Sequence, residues 1–269
     1  MIYQCPLCSS PLTQESHSLV CENRHRFDEA KEGYVNLIPV QHKRSKDPGD
    51  NKEMMQARRR FLNTDHYHAL RARVATLLTE YVADTNTVLD IGCGEGYYTD
   101  HFANSLSSAT TYGLDISKVA IKYAAKRYPH CRFCVASSQR LPFADDSINA
   151  IVRIYAPCEP EEMARCLTDG GIVITVTPAA RHLYQFKERI YQSVRLHEHN
   201  VESIPGCTLV HQEQLSYNMD LASDDAIDLL QMTPFAWRAP QTLWDHLSSV
   251  STFTCEADFL ISIYRYQNT

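Results

Sequence analysis

The sequence predicts an α/β fold: a mostly parallel sheet covered by helices on both faces, with a small metal-binding module in front of it. Three observations lead there. From Tyr67 onward, helix-like and strand-like segments alternate, the pattern of right-handed crossovers between parallel strands. One strand, Val88-Leu89-Asp90-Ile91, runs straight into the glycine-rich turn Gly92-Cys93-Gly94-Glu95-Gly96. Near the N-terminus, Cys5, Cys8, Cys21 and His25 have the spacing of a structural metal site.

Taken in chain order, residues 1–35 are rich in Cys and turn residues but too poor in apolar ones to build a core. They read as a zinc-binding domain. Residues 36–66 read as a basic linker, with a turn signal at Asp47-Pro48-Gly49-Asp50 and a short basic helix from about Lys52 to Leu62. Residues 67–269 form the large domain. It should open with a helix over 69–83, then strand 87–92, helix 97–106, strand 111–117 and helix 118–128. Strands 132–137 and 148–156, a helix around Pro160–Leu167 and strand 171–178 follow. The tail adds a long helix, about His182–His197, and strands at 207–219 and 253–266, which makes seven strands in the sheet.

Composition narrows the functional classes. With 44% hydrophobic and 22% charged residues, the chain reads as an ordinary soluble globular protein. No run approaches the roughly 20 apolar residues that span a bilayer, and the N-terminus lacks a basic flank followed by an apolar stretch. The expected compartment is therefore cytoplasmic, with no membrane partner and ten reduced cysteines. A net charge of −6 argues against indiscriminate nucleic-acid binding. Residues 24–73 nevertheless carry 12 Lys or Arg against 7 Asp or Glu, so an acidic protein can present one basic face.

The pattern Cys5-x2-Cys8-x12-Cys21-x3-His25 suits one tetrahedral Zn²⁺, with thiolates at roughly 2.3 Å. Four ligands leave no open position, so the ion is structural. His17 is a competing ligand, but it falls between the two Cys groups rather than beside one. Cys131 and Cys134 share a CxxC spacing, but in an extended strand they point to opposite faces and cannot share a metal.

In the turn Asp90–Gly96 the glycines let backbone approach a ligand closely at a helix N-terminus. That alone is shared with nicotinamide and flavin binders. Here an acid, Asp90, ends the strand, Glu95 would repel a pyrophosphate, and a second strand ends in Asp115, where a carboxylate can accept both ribose hydroxyls. This resembles the S-adenosylmethionine site of Rossmann-like class I methyltransferases. The resemblance implies that Gly92, Gly94, Glu95 and Gly96 cradle the methionine and ribose, with Asp90 near the methionine and Asp115 on the ribose. The stretch Ser137–Asp146 resembles the adenine-side loop, with Ser138 or Gln139 near the exocyclic amine.

The CPLC knuckle, AKEGYVNLIPVQHKRSKDPGD, VLDIGCGEGYYT, RIYAPC and MTPFAWRA together resemble the zinc-containing ribosomal RNA large-subunit (guanine-N-1) methyltransferases over essentially the whole chain. The resemblance implies S-adenosylmethionine as cofactor, one structural zinc, 23S ribosomal RNA as substrate, and Tyr67 and His182 in the cofactor pocket. It leaves open a homodimer, the guanine methylated, and a housekeeping or antibiotic-resistance role.

N-1 of guanine is protonated at neutral pH and buried in Watson–Crick pairs, so the target is a loop nucleotide or is flipped out. Ile154–Cys158 are expected over the methyl group, with Tyr155 either stacked on the base or in the core and Cys158 lining the pocket. No general base stands out. Lys43, Arg44, Lys46, Arg58, Arg59 and Arg60 are the candidate phosphate contacts, against the alternative of a solvated helix face. Trp237 is expected either to cover the pocket or to be buried in packing. Two rivals remain: a small-molecule methyltransferase, which the zinc domain disfavours, and a catalytically silent zinc RNA-binding adaptor, which the intact glycine turn disfavours.

Overall fold

A computed structural model describes residues 2–39, 51–83, 86–196 and 202–268. The phosphate-contact candidates Lys43, Arg44 and Lys46 lie outside them. Near the N-terminus, β1 (Thr13–Glu15), β2 (Ser18–Val20) and β3 (Arg26–Asp28) form a small antiparallel sheet, whose strands are too short to stand out in the sequence.

The large sheet has strand order β10-β11-β9-β8-β5-β6-β7-β4. Its middle is parallel: β5 (Thr87–Ile91), β6 (Thr110–Asp115), β7 (Arg132–Val135), β8 (Ile148–Ile154) and β9 (Leu167–Pro178). The long strands β10 (Cys207–Leu221) and β11 (Phe253–Tyr266) close one side antiparallel. The sheet thus has eight strands rather than the expected seven. The extra one is β4 (Val35–Asn36), which pairs parallel with β7 through Val35↔Cys134 and Asn36↔Val135. At two residues it has no periodicity to detect. It covers the edge of β7, and the Leu37 N–H continues the pairing onto the Val135 carbonyl at 2.9 Å.

Alternation along the central strands sorts the core. Val88, Ala150, Val152, Ile172 and Ile174 face the layer containing α1 (Lys52–Leu62), α2 (His68–Tyr81), α7 (Ser223–Gln231) and α8 (Gln241–Ser249). Leu89, Ile91, Ile151 and Val173 face the opposite layer, with Met163 of α5 (Pro160–Cys166). The expectation for Cys131 and Cys134 holds in the same way, since they belong to different buried clusters.

The apolar residues of the N-terminal module lack a core of their own. Tyr3, Leu12 and Leu19 join the cluster under the large sheet, and the Tyr3 ring lies 5.4 Å from Tyr112 and 5.2 Å from Phe143. Backbone bonds Gln4 N–H to Pro142 O, 3.0 Å, and Ala144 N–H to Ile2 O, 2.9 Å, fasten the two together.

Two expectations are corrected. The helix expected over His182–His197 is α6, only Tyr184–Ile190, and His197 lies outside the described residues. It starts after Leu183, held left-handed at φ 53°, and stops where Tyr191 turns extended. Helices α7 and α8, separated by a 3-10 turn at Pro234–Trp237, fill the stretch between the last two strands. Trp237, expected in the packing or over the pocket, projects from that turn with 73% of its surface exposed.

Candidate metal centre and cofactor cleft

The ligand atoms of Cys5, Cys8, Cys21 and His25 all lie within 4.8 Å of one another. Cys8 Sγ and Cys21 Sγ are 3.7 Å apart, and His25 Nδ1 is 3.4 Å from both Cys5 Sγ and Cys21 Sγ. A tetrahedron built on Zn–S of about 2.3 Å and Zn–N of about 2.0 Å has S···S edges near ~3.8 Å and S···N edges near ~3.5 Å. The four residues therefore fit zinc. Two turns create this geometry. Ser9 N–H bonds back to Cys5 O at 2.8 Å and Arg24 N–H to Cys21 O at 2.8 Å, with Ser9 (φ 61°) and Arg24 (φ 62°) left-handed. His17 is not part of the cluster.

The chain leaves β5 for β6 and β7 on one side, then returns to β8 on the other, so a crevice opens at the carboxyl ends of β5 and β8. Between β5 and α3 (Tyr97–Ser105), Gly92 has φ +70° and Gly94 has φ +56°. A Cβ on Gly92 would sit 2.4 Å from Ala156 Cβ, whereas one on Gly94 would meet nothing within 4 Å. The first glycine is demanded by contact with the β8 loop; the second leaves bare backbone facing open space. Gly96 starts α3 from a left-handed N-cap.

Asp115, at the tip of β6, accepts from Gly94 N–H at 3.0 Å and from Ser117 N–H at 2.7 Å. Its carboxylate thus borders the glycine loop, beside the 40% exposed Ile116. Asp90 is 2% exposed and accepts from Thr99 Oγ1 at 2.6 Å, tying β5 to α3 from beneath the loop. Burial, aided by the Asp115 charge and opposed by the Thr99 hydrogen bond, pushes its carboxyl up to about 7. Glu95 is gripped by Arg59, whose Nε and Nη2 donate at 2.6 and 2.5 Å while the guanidinium stacks 3.8 Å over the Tyr123 ring. Ser138 and Gln139 follow β7, and the Ser138 carbonyl accepts from Glu159 N–H at 3.2 Å and Cys158 Sγ at 3.1 Å.

Arg59, a candidate phosphate contact, is thus paired within the chain, and its neighbours are also engaged. Arg60 holds Asp228 of α7 at 2.7 and 2.5 Å, and Arg58 Nη2 donates to Met232 O at 3.1 Å. The sequence suggested a charged run; folding turns each guanidinium to an internal partner more than 30 residues away.

At the end of β8, Tyr155 is left-handed at φ 58° and 45% exposed, a conformation that costs about 1–3 kcal/mol and clusters at functional sites. Neither base stacking nor core burial anticipated its main partner, His182 Nε2, 3.2 Å from its hydroxyl. Both rings pack on Phe259, with centroids at 6.3 and 4.9 Å, and the buried Tyr67 meets the same ring edge-on at 5.3 Å. Phe259 escaped notice because nothing local marks one aromatic in an apolar strand as a hub. Cys158 is held as a thiol, pushed up to about 12 chiefly by burial, as suits pocket lining and not a nucleophile.

Comparison with known proteins finds two family models along the chain. Residues 3–46 match the zinc-ribbon family described as "RlmA, N-terminal", and residues 88–171 match the family described as "Methyltransferase domain". The chain is 31% identical over 242 residues to the 23S rRNA (guanine(748)-N(1))-methyltransferase of Streptomyces fradiae, covering 87% of this chain and 85% of that one. The phthiotriol/phenolphthiotriol dimycocerosates methyltransferase of Mycobacterium tuberculosis (strain H37Rv) is also 31% identical, but over only 31% of this chain and 34% of its own. In structure, the YcgJ protein of Bacillus subtilis superposes with a TM-score of 0.50 at 18% identity, over 75% of this chain and 100% of that one, a likeness of fold. None of the described helices is long and apolar enough to cross a membrane. With a relative 31% identical over 87% of this chain and the zinc-ribbon model matched over residues 3–46, the chain belongs to the zinc-containing ribosomal RNA large-subunit (guanine-N-1) methyltransferases.

Proposed function

We propose that this protein is an S-adenosylmethionine-dependent enzyme that methylates N-1 of a loop guanine in 23S ribosomal RNA, in the cytoplasm. The observation that carries the reading is the similarity to the Streptomyces fradiae enzyme over 87% of this chain, together with the zinc-ribbon family match over residues 3–46. The small-molecule alternative draws on a match over 31% of the chain. A silent adaptor would have no use for the open backbone at Gly94.

S-adenosylmethionine supplies an electrophilic methyl group; the chain's own residues bind and orient. The Gly92–Gly96 backbone receives the methionine and ribose, and Asp115, fixed at the loop by the Gly94 and Ser117 N–H groups, accepts from the ribose hydroxyls. Asp90 supports the loop from below, Glu95 is held away from the ligand by Arg59, and Ser138 and Gln139 border the adenine. Tyr67 and His182 wall the methyl-donor end. Rate comes chiefly from holding nucleophile and methyl in line within a water-poor crevice. Zinc fixes the N-terminal module against the sheet, where it adds surface for RNA.

The test is mass mapping of 23S ribosomal RNA from a strain lacking the gene, with the purified protein added back to that RNA. One guanine should lose a methyl group and regain it at N-1 on addition. An RNA with no lost methyl group sinks the assignment.

A further inference from the structure

We infer that the Tyr155 hydroxyl donates a hydrogen bond to O-6 of the target guanine and that His182 is its positioning residue; this rests on the guanine-N-1 reading above. The direction of the proton follows from backbone geometry. The Asp258 N–H donates to His182 Nδ1 at 3.2 Å, so the neutral ring carries its proton on Nε2. That N–H donates to Tyr155 Oη, 3.2 Å away, and the phenol keeps its own proton for a partner outside the pair.

The pair is clamped from behind. Asp258 is fully buried, its carbonyl accepts from Ala179 N–H at 2.9 Å, and its carboxylate accepts from Arg181 N–H at 2.8 Å and Gln214 Nε2 at 2.6 Å, with Ser216 Oγ as a further donor. The loop carrying His182 is thus stitched to β11 on both sides of the imidazole. Tyr155 is left-handed and 45% exposed at the tip of β8, and the next residue, Ala156, packs against Gly92 of the cofactor loop. Tyr155 thus stands beside the crevice where the acceptor base must meet the methyl group.

The chemistry calls for a donor there. When the N-1 proton leaves to water, the charge is shared between N-1 and O-6. The N-1 lone pair then forms the new N–C bond while the C–S bond breaks with its electrons remaining on sulfur. A fixed O–H at O-6 stabilises the developing charge and needs no reorganisation.

The experiment measures Tyr155→Phe and wild type on two transcripts of 23S ribosomal RNA, one with guanosine and one with 6-thioguanosine. With guanosine, kcat should fall about 10²- to 10³-fold, as for loss of one such donor, while the calorimetric affinity for S-adenosylmethionine stays within about twofold. With 6-thioguanosine, whose sulfur accepts poorly, wild type and variant should turn over within about threefold of each other. An undiminished kcat on guanosine RNA overturns the inference. So does an equal loss on both RNAs, the result of a merely structural role or a misfolded variant. If wild type itself methylates no guanine, the guanine-N-1 reading fails instead.

Discussion

Gly92 and Gly94 stand two residues apart in one loop, and alanine at the two should break different things. Both are left-handed, at φ +70° and +56°, which costs an L-residue about 1–2 kcal/mol. At Gly92 the added methyl lies 2.4 Å from Ala156 Cβ, roughly 1.5 Å inside ordinary contact, so the β8 loop must move. Overpacking of that kind adds about 1–3 kcal/mol. Gly92→Ala should therefore lose about 2–5 kcal/mol, near 5–15 °C in thermal midpoint for a chain of this size. At Gly94 the methyl meets nothing within 4 Å, so only the backbone cost of about 1–2 kcal/mol remains. The same methyl stands where the ligand should lie against bare backbone, and binding should fall at least about tenfold, ~1.4 kcal/mol. Thermal denaturation and calorimetric titration with S-adenosylmethionine read the two effects. A Gly94→Ala protein that binds normally, or that unfolds as readily as Gly92→Ala, refutes the cradle.

Other perturbations probe the same architecture. The Asp90 carboxyl is raised in the folded state, so its contribution is complete below the unfolded value of about 3.9 and lost as pH rises through about 7; Asp90→Asn should remove up to roughly 4 kcal/mol of that slope, seen in urea unfolding across pH. Cys21→Ser should abolish stoichiometric zinc by elemental analysis and make residues 2–39 the first site of limited proteolysis, because the module's apolar residues rely on the ion for their placement. The Arg59–Glu95 pair, 28% and 22% exposed, should show a coupling of about 1 kcal/mol in a double-mutant cycle, with cofactor affinity falling in both single variants. Equal affinity in Arg59→Gln would mean that the loop does not need its outer brace.

Patterns confined to short stretches could be read from residues alone. The zinc ligands declare themselves through two turns, each formed by neighbours in sequence, and the D-x-G-x-G-x-G run requires only a strand followed by a helix. Helix α1, Lys52–Leu62, and strand β11, Phe253–Tyr266, have the predicted bounds because each is marked locally. For α1 the signs are an Asn51 cap bonded to Met54 N–H and an apolar stripe of Met54, Ala57 and Phe61. Two-residue β4 had no such mark, and the long helix stops early because Tyr191 turns extended.

By itself, then, the sequence determined the fold class, the metal ligands, the glycine loop and the family, since these depend on spacing and on groups that meet along a few turns of chain. Tertiary structure decided which charges are spent at home and which side chains meet. Arg59 turns to Glu95, Arg60 to Asp228, Tyr155 to His182, and the zinc module shares the sheet's core. Those partners lie from 27 to 168 residues apart in sequence, and a side chain's choice among distant partners is set by packing that no local pattern encodes.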